Sequence, residues 1–327
     1  MTWNGKRVLV TGAGGFIGSH VAERFVELGA DVRAMVHYNA HGKWGWLDES
    51  PLRGEMEVVA GDIRDRDSVT QALNGITIAV HLAALIAIPY SYIAPDSYIH
   101  TNVGGTLNVL QAARNLGVER VVHTSTSEVY GTARYVPMDE SHPLRAQSPY
   151  AASKIAADKL AESFHLSFDL PVVTVRPFNT YGPRQSARAV IPAIVRDCLE
   201  GQTLQLGNLH PTRDLNYVKD TVEGFVMAAS APDAVGRVVN IGTGREISIG
   251  DLVRLIGNLM GVEISIHQEA ERQRPDKSEV ERLLADNTVA KDILGWRSAW
   301  TLETGLPPTI DWIREHRDGY RAGTYAV

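Results

Sequence analysis

The chain's 327 residues suffice for one large α/β domain with an appended lobe, or for two domains of ordinary size, and a 44% hydrophobic, 21% charged composition is that of a soluble globular protein. A formal net charge of -6 argues against nucleic acid as the main partner, and one cysteine, Cys198, excludes an intrachain disulfide. Met1 to Arg7 lacks the layout of a secretory leader, and the longest apolar run, Ile76 to Ile88, is broken by His81 and too short for a bilayer. A cytoplasmic protein with no membrane partner is the expectation.

Strand-like and helix-like segments alternate through the first half. Arg7 to Thr11 is β-branched and apolar, and Phe16 to Leu28 has helical spacing closed by Gly29. Val32 to Val36, Val58 to Ala60 and Ile78 to Leu82 read as strands, with a short helix from Asp67 to Leu73. A helix from Gly104 to Asn115, a strand from Val121 to Thr124, a long helix from Pro149 to Phe168 and a strand from Val172 to Arg176 complete the series. Such alternation predicts an α/β fold, a doubly wound parallel sheet covered on both faces. Beyond Pro177 glycine and proline become denser; Ala189 to Leu199, Ile249 to Met260 and Leu302 to Arg317 read as helices, Val238 to Ile241 as a strand, and Leu215 to Ala229 as a strand turning into a helix. The predicted division is a dinucleotide-binding Rossmann-type domain of residues 1–180 plus 213–243, and a smaller C-terminal α/β substrate lobe of residues 181–212 plus 244–327. His37 to Glu55 is a long insertion with Trp44 and Trp46, readable as a surface loop pinned by its tryptophans or as a flap beside a cofactor.

Gly12-Ala13-Gly14-Gly15-Phe16-Ile17-Gly18 joins the first strand to the first helix. Glycines 12, 15 and 18 allow a tight turn, close approach of backbone amides to a pyrophosphate, and tight packing of helix on strand. Gly14 is a fourth glycine that such a cradle does not require. The acidic residue expected about 20 positions on, which would hold an adenosine ribose, is missing; the second strand ends Val36-His37-Tyr38-Asn39, leaving Asn39 or Tyr38 for that task. No arginine stands there for a 2′-phosphate, so NAD is preferred, with NADP not excluded. Asp62, after the third strand, suits an adenine amino group or a turn cap.

Ser148-Pro149 has the form of a helix start, placing Tyr150 and Lys154 on one face a turn apart. A tyrosine ordinarily titrates near ~10; an adjacent ammonium and a cationic nicotinamide ring would draw it toward neutrality, making a base for an alcohol proton. Val121 to Glu128 reads as an apolar strand ending in hydroxyls and an acid, where open parallel sheets place their ligands. Thr126 suits a sugar hydroxyl or carbonyl, and Glu128 a proton on carbon.

Together with Asp62-Ile63, Leu82-Ala83-Ala84, Asn102-Val103-Gly104-Gly105-Thr106 and Arg176-Pro177-Phe178-Asn179-Thr180-Tyr181-Gly182-Pro183-Arg184, these motifs resemble the extended short-chain dehydrogenase/reductases that act on nucleotide-diphosphate sugars. Within them the chain is most similar to sugar 4,6-dehydratases, in particular the branch acting on UDP- or GDP-linked N-acetylglucosamine in legionaminic-acid-type pathways. Glu128 stands where sugar 4-epimerases usually carry serine, and Ser127 replaces the aspartate of the glucose-type Asp-Glu pair, as in the mannose-type enzymes. The resemblance implies Thr126, Glu128, Tyr150 and Lys154 as catalytic residues. It implies a cofactor site of Gly12, Gly15, Phe16, Ile17, Gly18, Asn39, Asp62, Ile63, Leu82, Ala83, Ala84, Asn102, Tyr150, Lys154 and Pro177. For a nucleotide-diphosphate sugar it implies Thr126, Asn179, Arg184, Arg188, Arg213 and Arg274. It also implies a homodimer formed through the helices at Gly104 and Pro149, and no metal. A nucleotide-linked uronic acid decarboxylase, a 4-epimerase and a non-catalytic dinucleotide sensor are the competing readings.

Overall fold

The computed structural model describes residues 2–201, 203–268 and 276–320. Its strands run β1 Arg7–Thr11, β2 Asp31–Val36, β3 Met56–Ala60, β4 Ile78–His81, β5 Arg120–Thr124, β6 Val172–Pro177, β7 Asn179–Tyr181, β8 Leu204–Leu206, β9 Thr212–Arg213, β10 Leu215–Tyr217, β11 Val238–Ile241, β12 Ile247–Ser248 and β13 Ile266–Gln268. The α-helices are α1 Phe16–Glu27, α2 Arg66–Leu73, α3 Ile88–Ile93, α4 Pro95–Tyr98, α5 Gly105–Leu116, α6 Pro149–Phe168, α7 Val190–Glu200, α8 Val218–Ser230, α9 Ile249–Met260 and α10 Leu302–Glu315.

Seven strands form one parallel sheet in the order β3-β2-β1-β4-β5-β6-β11. Alternate residues of its strands face opposite ways, as the two-residue period of a strand demands. Val8 and Val10 of β1 enter the core shared with α1 and α8, while Leu9 joins the core beneath α2, α5 and α6. Both faces are therefore covered, which is why these strands read as nearly unbroken apolar runs. The chain order reverses between β1 and β4, opening a crevice beyond their carboxyl ends. The doubly wound α/β fold is the one expected.

Among the described residues, three two-stranded pairs lie outside this sheet, β7 with β10, β9 with β12 and β8 with β13. The segment between β4 and α5, for which the sequence pattern gave no element, holds α3, α4 and a π-helical turn, Ile99–Gly104. Such wide turns recur at functional sites, because they rotate side chains out of helical register. Among the described residues no helix is long and apolar enough to cross a membrane.

Candidate active site

The cradle forms as its glycines dictate. Gly12 has φ +71, and a Cβ there would lie 2.9 Å from the Ala83 backbone; one on Gly18 would overlap the Gly12 carbonyl. α1 starts at Phe16, Gly15 provides no side-chain cap, and Ile17 packs on the core, leaving the first amides of a 12-residue helix facing the crevice end of β1. The strand-end residues Leu82 and Ala83 donate their backbone N–H groups to Thr11 Oγ1 at 3.2 and 3.1 Å, so Leu82-Ala83-Ala84 runs directly beside Gly12. A backbone shaped this closely, with unpaired helix amides behind it, fits a dinucleotide pyrophosphate.

Gly14 has its own reason. The insertion folds back on it: Trp46 N donates to the Gly14 carbonyl at 3.0 Å, and a Cβ on Gly14 would stand 2.6 Å from the Trp44 carbonyl oxygen. Leu47 is wholly buried, Trp46 meets the Trp312 ring edge-on at 5.8 Å, and Glu49 pairs with His316 at 3.2 Å. The insertion is thus pinned, and it is pinned to the cradle and to α10.

At the adenosine end the polar groups bond among themselves. Asn39 accepts at Oδ1 from His41 and Lys43 amides, each at 3.1 Å, and its Nδ2 donates to the Lys43 carbonyl. Asp62 is forked by Arg64 Nε at 3.1 and 3.0 Å and approached by His37 Nε2 at 3.5 Å; its carboxyl is lowered chiefly by the Arg64 hydrogen bond. Tyr38 projects into solvent. Ile63 lies under α5, where its side chain fills the space a Cβ on Gly105 would need.

α6 begins where its cap signals place it: Ser148 Oγ accepts from Ala151 N at 3.1 Å and Pro149 holds the first turn. Tyr150 and Lys154 are both buried on its inner face. Lys154 Nζ donates to the Thr124 carbonyl at 2.5 Å, at the end of β5. Burial pulls its ammonium down to about 8. Without a nicotinamide beside it, burial raises the Tyr150 phenol well above the ordinary tyrosine range, Thr126 bonds it and opposes that rise, and the Glu128 charge adds to it.

Thr126 has extended backbone and caps the turn Ser127–Tyr130, its Oγ1 accepting from Glu128 N at 3.2 Å. That cap fixes Glu128, half-buried, on the side of the phenol whose charge it influences. Asn102, in the π-turn, accepts from Leu85 N at 2.8 Å and donates to the Leu85 carbonyl and to Ser153 Oγ, each at 2.9 Å. It ties the start of the 85–87 loop to α6. Pro177 ends β6 beside Ile241 of β11.

Of the residues expected to clamp a sugar nucleotide, Arg184 is engaged within the chain. Its buried guanidinium forks onto the half-buried Glu23 of α1, both contacts at 2.9 Å, and donates to the buried Ser19 Oγ at 3.1 Å. A bidentate pair withdrawn from water is a structural tie, and its partner lies 161 residues away in sequence. Arg213 donates to the Thr212 carbonyl at 2.9 Å and sits 3.5 Å from Glu279. Arg188 is exposed and acts electrostatically on Tyr98 of α4. Asn179 follows β6 with Oδ1 buried and without a hydrogen-bond partner, which suits a hydroxyl donor better than a phosphate. Arg274 lies outside the described residues.

Three buried residues went unnoticed in the sequence reading: His123, Ser153 and Asp158. Asp158 had a signal, an acid four residues beyond Lys154 on a face otherwise of alanine and serine.

A family model described as GDP-mannose 4,6 dehydratase matches residues 9–309. A UDP-glucose 4-epimerase of Mycolicibacterium smegmatis is 34% identical over 319 residues, covering 94% of this chain and 98% of that one. A dTDP-glucose 4,6-dehydratase of Streptomyces antibioticus is also 34% identical, over 320 residues, covering 95% and 93%. Among solved structures, the dTDP-glucose 4,6-dehydratase DesIV from Streptomyces venezuelae, with NAD and TYD bound, superposes with a TM-score of 0.87 at 32% identity, covering 96% and 99%.

Proposed function

The chain belongs to the GDP-mannose 4,6-dehydratase family, among the extended short-chain dehydrogenase/reductases, and from that premise we propose that it is an NAD-dependent nucleotide-sugar 4,6-dehydratase. The observation that carries this reading is the placement of Glu128: Thr126 Oγ1 accepts from its backbone N–H, and its charge acts on the Tyr150 phenol. A redox couple alone has no use for such an acid, whereas elimination across C-5 and C-6 needs one.

In this reading Tyr150 removes the proton from the 4-hydroxyl, with Lys154 supplying the ammonium beside it. The Gly12–Gly18 cradle, Tyr150 and Lys154 would hold a nicotinamide dinucleotide, which would supply the hydride acceptor for C-4 and the hydride donor for C-6. The 4-ketone acidifies C-5, Glu128 takes the C-5 proton and delivers it to the departing 6-hydroxyl, and water leaves. Solvent reprotonates C-5. The sum is loss of one water with no net oxidation, giving a 4-keto-6-deoxy sugar still on its nucleotide. Asn179 and Arg213 contact the substrate, with residues 181–212 plus 244–327 as its lobe and a UDP- or GDP-linked N-acetylglucosamine as the sugar nucleotide. The enzyme acts in the cytoplasm as a homodimer through α5 and α6.

The equal identity to an epimerase and a dehydratase makes epimerisation at C-4 the second reading. Incubation with a panel of UDP-, GDP- and dTDP-sugars, followed by mass spectrometry, separates them. Loss of water supports dehydration, an unchanged mass with a new sugar supports epimerisation, and loss of carbon dioxide from a uronic acid overturns both.

A further inference from the structure

α6 carries Tyr150, Lys154 and Asp158 at successive turns, all buried. Asp158 is the centre of a polar cluster beneath the couple. Its Oδ1 accepts from His123 Nε2 at 3.1 Å; its Oδ2 accepts from Ser125 Oγ at 2.7 Å and from Arg176 Nη2 at 3.0 Å. Arg176 also donates to the Tyr130 hydroxyl at 3.0 Å, which donates in turn to Asn240 Oδ1 at 2.7 Å. Burial alone would push the Asp158 carboxyl up, yet the His123 bond and charge, the Arg176 charge and the Ser125 bond bring it down to about 2. A carboxylate so held is a fixed negative charge at any working pH.

That charge faces a lysine in need of it. Burial weakens the Lys154 ammonium, and Asp158, one turn along the helix, opposes that weakening. The other groups packed around them do not duplicate the role. His81 of β4 and His123 of β5 are neutral, lowered by burial; Arg176 of β6 is a cation; Glu128 and Tyr130 lie on the 127–130 turn, with Glu128 acting on the phenol. Asp158 and Arg176 also line a small cleft, together with Lys159, Glu162, His165 and Arg237.

We propose that Asp158 is a positioning residue, whose carboxylate, locked by His123, Ser125 and Arg176, keeps the Lys154 ammonium charged and aimed at the end of β5. The inference rests on Tyr150 and Lys154 being the proton-handling couple. Its sign is definite. Neutralising Asp158 makes Lys154 lose its proton at lower pH, so the alkaline limb of activity moves down; the Tyr150 phenol, which the Asp158 charge also raises, falls with it.

The test uses the NAD-loaded full chain with 13C-labelled lysine, following the Lys154 Cε resonance, assigned by its loss in Lys154→Met. In Asp158→Asn the Lys154 titration should fall by about one pH unit, and the alkaline limb of kcat/KM with it, while Asp158→Glu restores both. If Asp158→Asn does not fold, the double variant Asp158→Asn/Arg176→Met removes the buried pair together and should show the same fall. An unchanged Lys154 titration in a folded variant overturns the proposal. If the wild type converts no sugar nucleotide, the functional reading fails while the titration still decides this one.

Discussion

Beneath Tyr150 and Lys154 the polar groups are buried and face one another across α6, β4, β5 and β6, whereas around Asn39 and Asp62 they lie near the surface and bond within their own loops. The difference is one of solvent. A buried donor or acceptor that loses its partner carries the full cost of desolvation, so the floor of the site tolerates one arrangement. At the adenosine end water replaces whatever a substitution removes. Changes at the floor should therefore be severe and changes at the rim mild.

The largest effect falls on the phenol. Tyr150→Phe should lower kcat on the order of 10³-fold, measured by product formation, with NAD affinity by titration calorimetry unchanged. A loss below about tenfold would place the proton transfer elsewhere.

Acid should reveal the floor next. His81, His123 and His20 are each lowered by burial, His20 to about 4, and are neutral in the folded chain. The unfolded chain takes up these protons below about pH 6.5, so the stability they confer is complete above that value and is lost as pH falls through it toward about 4. Thermal melts that stay level between about pH 7 and about pH 5 would contradict this burial.

Between floor and rim stands the cradle. Gly14→Ala would place a Cβ 2.6 Å from the Trp44 carbonyl and should cost about 1–3 kcal/mol by denaturant unfolding. Gly54→Ala, in the same insertion, meets nothing within 4 Å and should change stability by less than about 0.5 kcal/mol. Equal costs would mean that the insertion is not held by Gly14.

The smallest effect belongs to the rim. Asn39→Ala frees the 39–43 loop and should weaken NAD binding by less than about tenfold, roughly the worth of one exposed hydrogen bond. A larger loss, seen by calorimetry, would give Asn39 the ribose role read from the sequence.

This division also explains what the sequence could disclose. α6 was legible to both ends, because Ser148, Pro149 and the apolar face are local signals. The sheet followed from runs of buried β-branched residues, and the cradle from glycines between a strand and a helix. Helices α3 and α4 were missed because six and four residues carry too little periodicity. The tie of Arg184 to Glu23 was hidden because the two are remote in the chain. Gly14 looked dispensable until Trp44 and Trp46 were seen against it. Pairings across the fold, rather than elements along it, are what a single sequence conceals.

The central claim is that Glu128 moves a proton on carbon, and reaction in deuterium oxide tests it most directly. The wild type should form a 4-keto-6-deoxy sugar nucleotide with deuterium at C-5, and Glu128→Gln should bind the same sugar nucleotide yet incorporate none. Labelling and turnover in Glu128→Gln at the wild-type rate would contradict the account.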